Sequence, residues 1–344
     1  MTYEEVLKTA AERTTVCKVC PVCNGLACRG KVPGPGASGS GKSFIQAVEY
    51  LSRIDIMMDV VYDHDDPVET KFEFLGRELS MPVMGAPCGG AQFNFGIDPE
   101  TVSERAFVYA QLRGAVDAGV LGFMPDGPKN MTIRNHMDRI PDLGGMVIPT
   151  VKPWENAKII ELFREAEEGG ALACATDIDS AGLINLRITG TPAEPKSRAE
   201  LRELAECTRL PVLVKGIVTP KAAKAALEEG AAGIIISNHG GRIMEDCPAP
   251  VSVLQEIREA VGRDALLIVD GGVRTGGDVF KCLALGADAV LIGRPLCIAS
   301  IGGGAEGVKL YLDKLRDELY TCMVLTGCKS LADISPDKIR NRNS

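Results

Sequence analysis

Eight short apolar runs, each followed by a stretch able to form a helix, recur between residues 82 and 293. They limit this chain to α/β folds built on buried parallel strands. The runs occupy 82–86, 120–124, 146–150, 171–175, 212–216, 234–237, 266–270 and 290–293. Four are entered from an amphipathic stretch that ends in glycine: Asp117-Ala118-Gly119, Glu168-Gly169-Gly170, Glu229-Gly230-Ala231 and Leu285-Gly286-Ala287. Glycine takes the left-handed conformation that ends a helix and turns the chain into a strand. Eight such units at regular spacing predict a closed (β/α)₈ barrel over 81–344, in preference to an open doubly wound sheet. Residues 1–80 form an N-terminal extension with a cysteine-rich segment at 17–28 and an entry helix around 44–60. A long amphipathic helix is expected around 308–320.

Composition excludes several partners. The chain has 344 residues, 45% of them apolar, enough for a substantial core. No apolar run approaches the roughly 18–20 residues that span a bilayer, and the first residues lack the basic-then-apolar layout of a secretory signal. The expected address is the cytoplasm. A net charge of −8, with both signs mixed throughout, offers no basic stripe for nucleic acid. The 12 cysteines are expected to be reduced thiols or ligands.

Active sites of such barrels lie at the C-terminal ends of the strands, and the loops after the seventh and eighth often bind phosphate. Here the fifth run ends in Lys215-Gly216 and the sixth in Ser237-Asn238-His239. The seventh leads into Asp270-Gly271-Gly272-Val273-Arg274 and the eighth into Gly293-Arg294-Pro295. His239 followed by Arg242 pairs a proton acceptor with a carboxylate clamp. The other two histidines, His64 and His136, lie in polar contexts and are expected to be structural.

These strand ends resemble the FMN-dependent α-hydroxy acid oxidase and dehydrogenase family, which includes glycolate oxidase and lactate oxidase. The resemblance is specific from Leu210 to Pro295, through Leu-Pro-Val-Leu-Val-Lys-Gly-Ile at 210–217, Ser-Asn-His-Gly-Gly-Arg at 237–242 and Asp-Gly-Gly-Val-Arg at 270–274. It is looser at Ala86-Pro87-Cys88-Gly89, where the family usually has Ala-Pro-Thr-Ala or Ala-Pro-Thr-Gly. It implies FMN as cofactor and oxidation of a small (S)-2-hydroxy acid to the 2-oxo acid. His239 would accept the hydroxyl proton while the Cα hydrogen passes to flavin N5, and Arg242 would bind the carboxylate. Lys215 would stabilise the charge that develops on the reduced flavin. Asp270 would orient His239 and favour its imidazolium form. Gly272, Arg274, Gly293 and Arg294 would hold the phosphate, while Ser237 and the Pro87-Cys88-Gly89 backbone would line the ring system. Gly240 and Gly271 are counted with the cofactor contacts. A homotetramer is also implied, and no motif names the electron acceptor.

The sequence departs from the family at several of these points. Counting back from Asp177-Ile178-Asp179 places Pro149 and Val151 where the family carries glutamine and tyrosine, with Lys152 as a partial substitute. Asp177 stands where the family has threonine against the flavin. The second carboxylate-binding arginine is missing from Ala181-Gly182-Leu183, and Arg187 is the nearest candidate. These changes leave open another FMN-barrel oxidoreductase or isomerase reaction on a different substrate.

The largest departure replaces the family's tyrosine-bearing substrate loop with Cys17, Cys20, Cys23 and Cys28 at C-x2-C-x2-C-x4-C spacing. Such spacing suits a [4Fe–4S] cluster or zinc, and a flavin and iron-sulfur electron-transfer protein is the alternative it raises. Gly36 to Ser43 matches the P-loop pattern, but no buried strand leads into it, so it is read as a loop entering a helix at Ser43.

Overall fold

The computed structural model describes residues 1–342 apart from His64 and Pro192. Eight parallel strands close into a barrel: β1 (Val83–Gly85), β2 (Gly122–Pro125), β3 (Val147–Val151), β4 (Cys174–Asp177), β5 (Val212–Ile217), β6 (Gly233–Ser237), β7 (Leu267–Asp270) and β8 (Ala289–Ile292). Strand β8 pairs with β1, Val290 opposite Val83, which completes the ring. Every predicted run contributes a strand, though the fourth starts three residues later than expected. The backbone there joins the barrel while still approaching it, the Leu172 N–H donating to the Val147 carbonyl at 3.2 Å.

Two elements of the extension set the shape of the barrel's ends. A two-stranded hairpin, Phe72–Phe74 with Arg77–Leu79, packs Phe74 and Leu79 onto the barrel interior formed by Met84, Leu121, Ile148, Leu213, Ile235, Ile268 and Leu291. Burying a side chain such as Phe74, only 1% exposed, contributes about 1.5–3 kcal/mol. Helix α1 (Tyr3–Arg13) starts from a capping box in which Thr2 and Glu5 satisfy each other's backbone N–H. It packs against the long C-terminal helix at Gly302, where an added Cβ would lie 1.9 Å from the Val6 carbonyl oxygen.

Two predicted helices have different bounds. The entry helix, α2, is Lys42–Ser52, and the chain then leaves as a strand, Ile54–Ile56, that pairs antiparallel with Ile339–Asn341. The C-terminal helix, α3, is Arg294–Thr326 and begins directly after β8. Gly302-Gly303-Gly304 interrupts its apolar periodicity, and Gly304 breaks its geometry at φ 58° and ψ −145°. No helix among the described residues is long and apolar enough to cross a membrane.

Candidate functional site

Side chains two residues apart on a strand share a face, and this places the first charged layer of the site. Leu213, Ile235 and Ile268 fill the barrel interior; two positions on stand Lys215, Ser237 and Asp270. Ser237 and Asp270 sit in register across β6 and β7. The Lys215 ammonium, 3% exposed, lies 3.2 Å from Asp270 Oδ2 and donates to Ser237 Oγ at 3.0 Å. Ser237 in turn donates to Asp270 at 2.8 Å and accepts the His239 N–H at 3.0 Å. Burial disfavours the lysine's charge, but Asp270, Asp179 and Asp177 outweigh it and hold Lys215 protonated.

His239 follows β6 in a left-handed turn, φ 55°, which carries its ring away from Asp270. Its partner is Asp179, with Nδ1 3.0 Å from Oδ1, and Asp177 Oδ2 lies further off at 3.8 Å. The hydrogen bond expected from Asp270 is therefore made by Asp179. The cause is local: Asp270 already serves Ser237 and Lys215, and Asp179 follows β4 on the side toward which the turn points. Gly216 admits it, because a Cβ there would lie 2.5 Å from Asp179 Cβ and Cγ. Burial lowers the pKa of His239 below its ordinary value, Asp179 opposes this, and Lys215 adds to it. A neutral ring that donates from Nδ1 to Asp179 leaves Nε2 as a proton acceptor.

A second layer comes from the altered strands β3 and β4. Lys152, 7% exposed, donates to Asp177 Oδ2 at 2.6 Å and to Ser180 Oγ at 3.1 Å. Asp177 is thus matched by a cation of this chain and is absent from the residues lining the cavity, unlike the flavin contact expected of it. Asp126, unremarked in the sequence, accepts from the Ile133 and Lys152 N–H groups and from Trp154 Nε1, which ties the β2 and β3 loops together. Arg187 does not reach the site. It is exposed on the short helix Ile184–Ile188, and Asn185 and Leu186 line the cavity instead.

The mouth is completed by Pro87, Cys88, Gly89, Gly240, Gly293 and Arg294, all facing one cavity with Lys215, His239, Arg242 and Asp270. Glu104 fixes the first of these loops by accepting from the Gly90 and Ala91 N–H groups, both at 2.6 Å. Gly271, Gly272 and Arg274 do not line the cavity; a Cβ on Gly272 would meet the Ala47 carbonyl of α2 at 2.3 Å. Ser237 stands behind Lys215.

Among the described residues, the guanidinium groups of Arg242 and Arg294 at this mouth, and of Arg274 behind it, donate to no carboxylate. Arg242 donates to the Gly34 carbonyl at 2.6 Å and to Asn94 Oδ1 at 2.9 Å. Arg294 donates to the carbonyls of Pro35, Gly36 and Gly240, and Arg274 to those of Cys23 and Val273. Burial, then repulsion from Arg294, lowers the pKa of Arg242 to about 10. Buried cations that repel one another form a site for anionic groups.

His136 lies apart from these groups, buried, with its pKa lowered to about 4 chiefly by burial, as expected of a structural histidine. His64 is outside the described residues. Lys42 of the P-loop-like stretch pairs with Asp246 at 2.6 Å, and Ser43 donates to the Met244 and Cys247 carbonyls, so the loop anchors α2.

The sequence profile of a family described as FMN-dependent dehydrogenase matches residues 130–341. The chain belongs to that family. Among its curated relatives, 2-hydroxyacid oxidase 2 of Mus musculus is 46% identical over 149 residues, 43% of this chain and 42% of that one. An L-lactate oxidase of Alicycliphilus denitrificans is 49% identical over 140 residues, covering 41% and 38% of the two chains. The peroxisomal (S)-2-hydroxyacid oxidase GLO4 of Arabidopsis thaliana is 38% identical over 198 residues, 58% and 51%. The chain thus spans about half the length of these relatives or less. Solved structures of this fold include mandelate oxidase with (S)-2-phenylpropionate, at a TM-score of 0.78 and 26% identity over 98% of this chain and 97% of that one. The donor set fits the flavin mononucleotide that the family's description names: three arginine guanidinium groups without carboxylate partners for an anionic group, and a buried lysine beside a glycine-lined mouth.

Proposed function

We propose that this protein oxidises a small (S)-2-hydroxy acid to the 2-oxo acid with FMN. The observation that carries the reading is His239, hydrogen-bonded to Asp179 and kept unprotonated by burial, facing the same cavity as Arg242 and Lys215. FMN, when bound, supplies the acceptor for the Cα hydrogen and its two electrons. The Pro87–Gly89 loop, Lys215, Gly240, Gly293 and Arg294 would hold it, with Gly271, Gly272 and Arg274 in support. His239 Nε2 takes the hydroxyl proton, and the Asp179 carboxylate offsets the charge that the ring then acquires. Arg242 orients the substrate carboxylate, and Lys215 offsets negative charge as electrons arrive.

An anaerobic visible spectrum before and after addition of short (S)-2-hydroxy acids tests this directly. Bleaching of the flavin band by one of them is the expected result. Bound flavin that none of them bleaches would favour a different FMN-barrel reaction, a second reading motivated by the Lys152–Asp177 pair, whose aspartate stands in place of the threonine that the resemblance implies. Replacing Arg242 with leucine should raise KM about 10- to 150-fold, since charge-assisted hydrogen bonds are worth about 1.5–3 kcal/mol. Steady-state kinetics read this, and an unchanged KM would remove Arg242 from substrate binding. The cysteine segment is proposed to hold a metal or cluster.

A further inference from the structure

Cys17, Cys20, Cys23 and Cys28 are all free thiols, and all four line one cavity with Phe95 and Arg294. The loop that presents them is shaped for convergence. Val19 takes a left-handed φ of 44° and Gly25 one of 86°, where a Cβ would strike the Phe44 ring at 2.8 Å. The Thr14 hydroxyl accepts the Cys17 N–H at 3.1 Å and donates to the Phe95 carbonyl, which fastens the loop's start to the barrel mouth. The Val19 N–H points at Cys17 Sγ, 3.4 Å away.

The chemistry of the two metals that the sequence leaves open separates them. Zinc is fixed in one oxidation state and does no more than tie a loop together, whereas an iron-sulfur cluster accepts and releases single electrons. The four thiols lie against the wall of the flavin-facing cavity, where only the second of these has a use.

The surroundings also suit a cluster that carries electrons. A four-thiolate cluster has net negative charge, and the cationic side of the mouth lies against it. Arg294 lines both this cavity and the proposed flavin cavity, as do Pro35 and Phe95. Arg274 donates to the Cys23 carbonyl at 2.7 Å. The two sites therefore share a wall.

We propose that Cys17, Cys20, Cys23 and Cys28 hold a [4Fe–4S] cluster through which electrons leave the flavin site. The relay rests on the flavin reading above; the cluster site itself rests on the four thiols. Each hydroxy acid oxidised gives up two electrons and two protons. The electrons pass singly through the cluster to two molecules of a one-electron carrier protein, and the protons go to water.

The test uses the full chain purified without oxygen, reconstituted with iron and sulfide and then desalted. Iron, sulfide, zinc and acid-released flavin are measured separately. Roughly four irons and four sulfides per chain are expected, with a broad visible absorbance and an electron-spin signal after dithionite reduction. Cys20→Ser and Cys28→Ser should each lose most of the iron and that signal while flavin content stays unchanged. One zinc per chain, two irons per chain, or no metal after reconstitution overturns the cluster. With the cluster present, a hydroxy acid that bleaches the flavin without producing the electron-spin signal overturns the relay. Iron and sulfide present without bound flavin would overturn the flavin reading and leave the cluster site standing.

Discussion

Replacing His239 with alanine should leave FMN bound and slow its reduction by a hydroxy acid about 10²–10⁴-fold, the usual contribution of a positioned proton acceptor. Stopped-flow absorbance under anaerobic conditions reads the rate, and released flavin reads the occupancy. Cofactor binding should survive because the ring hydrogen-bonds to Asp179 while cationic groups elsewhere line the mouth. The pH dependence follows from the same environment. Burial, the largest influence on His239, lowers its pKa, so the basic form persists below the ordinary imidazole value of about 6.5. Flavin reduction in the wild type should hold its plateau through that pH and fall only in more acid solution. A profile that fell at or above the ordinary value, or a His239→Ala variant reduced at the wild-type rate, would remove histidine as the base.

Lys215→Met should cost about 3–5 kcal/mol of folding stability, because removing one partner of a buried ion pair strands the other charge. Asp270 lies 3.2 Å from the ammonium and is 9% exposed, and Asp179 and Asp177 also depend on that positive charge. Denaturant unfolding reads the change as a lower midpoint at an unchanged slope, with flavin content matched because bound ligand adds its own stabilisation. Adding Asp270→Asn should recover part of the loss, since the neutral amide no longer strands a charge. Equal losses in Lys215→Met and the double variant would mean that the two side chains are not coupled.

Much of this site follows from strand periodicity alone. The apolar runs predict eight strands, and a period of two carries Lys215, Ser237 and Asp270 onto the barrel interior. Asp179 was within reach of the same reading, because Asp177-Ile178-Asp179 ends a predicted strand. Which of the two carboxylates meets a histidine 60 residues later depends on the left-handed turn at His239 and on the missing side chain at Gly216. Arg187 illustrates the opposite error: nearness in sequence suggested a substrate contact, yet its helix turns it to solvent.

By itself the sequence determined the closed α/β barrel, the strand ends that bear chemistry, and the identity of His239, Arg242, Lys215 and Arg294 as their charged groups. These are local properties, set by apolar periodicity and by residue type at the end of a run. Tertiary structure alone decided the partners: Asp179 rather than Asp270 for His239, Lys152 for Asp177, main-chain carbonyls of the extension for the arginines, and a shared wall between the cysteine loop and the barrel mouth. Pairings of this kind join segments far apart in the chain. They depend on the angle at which each loop leaves its strand, and no periodicity in the chain records that angle.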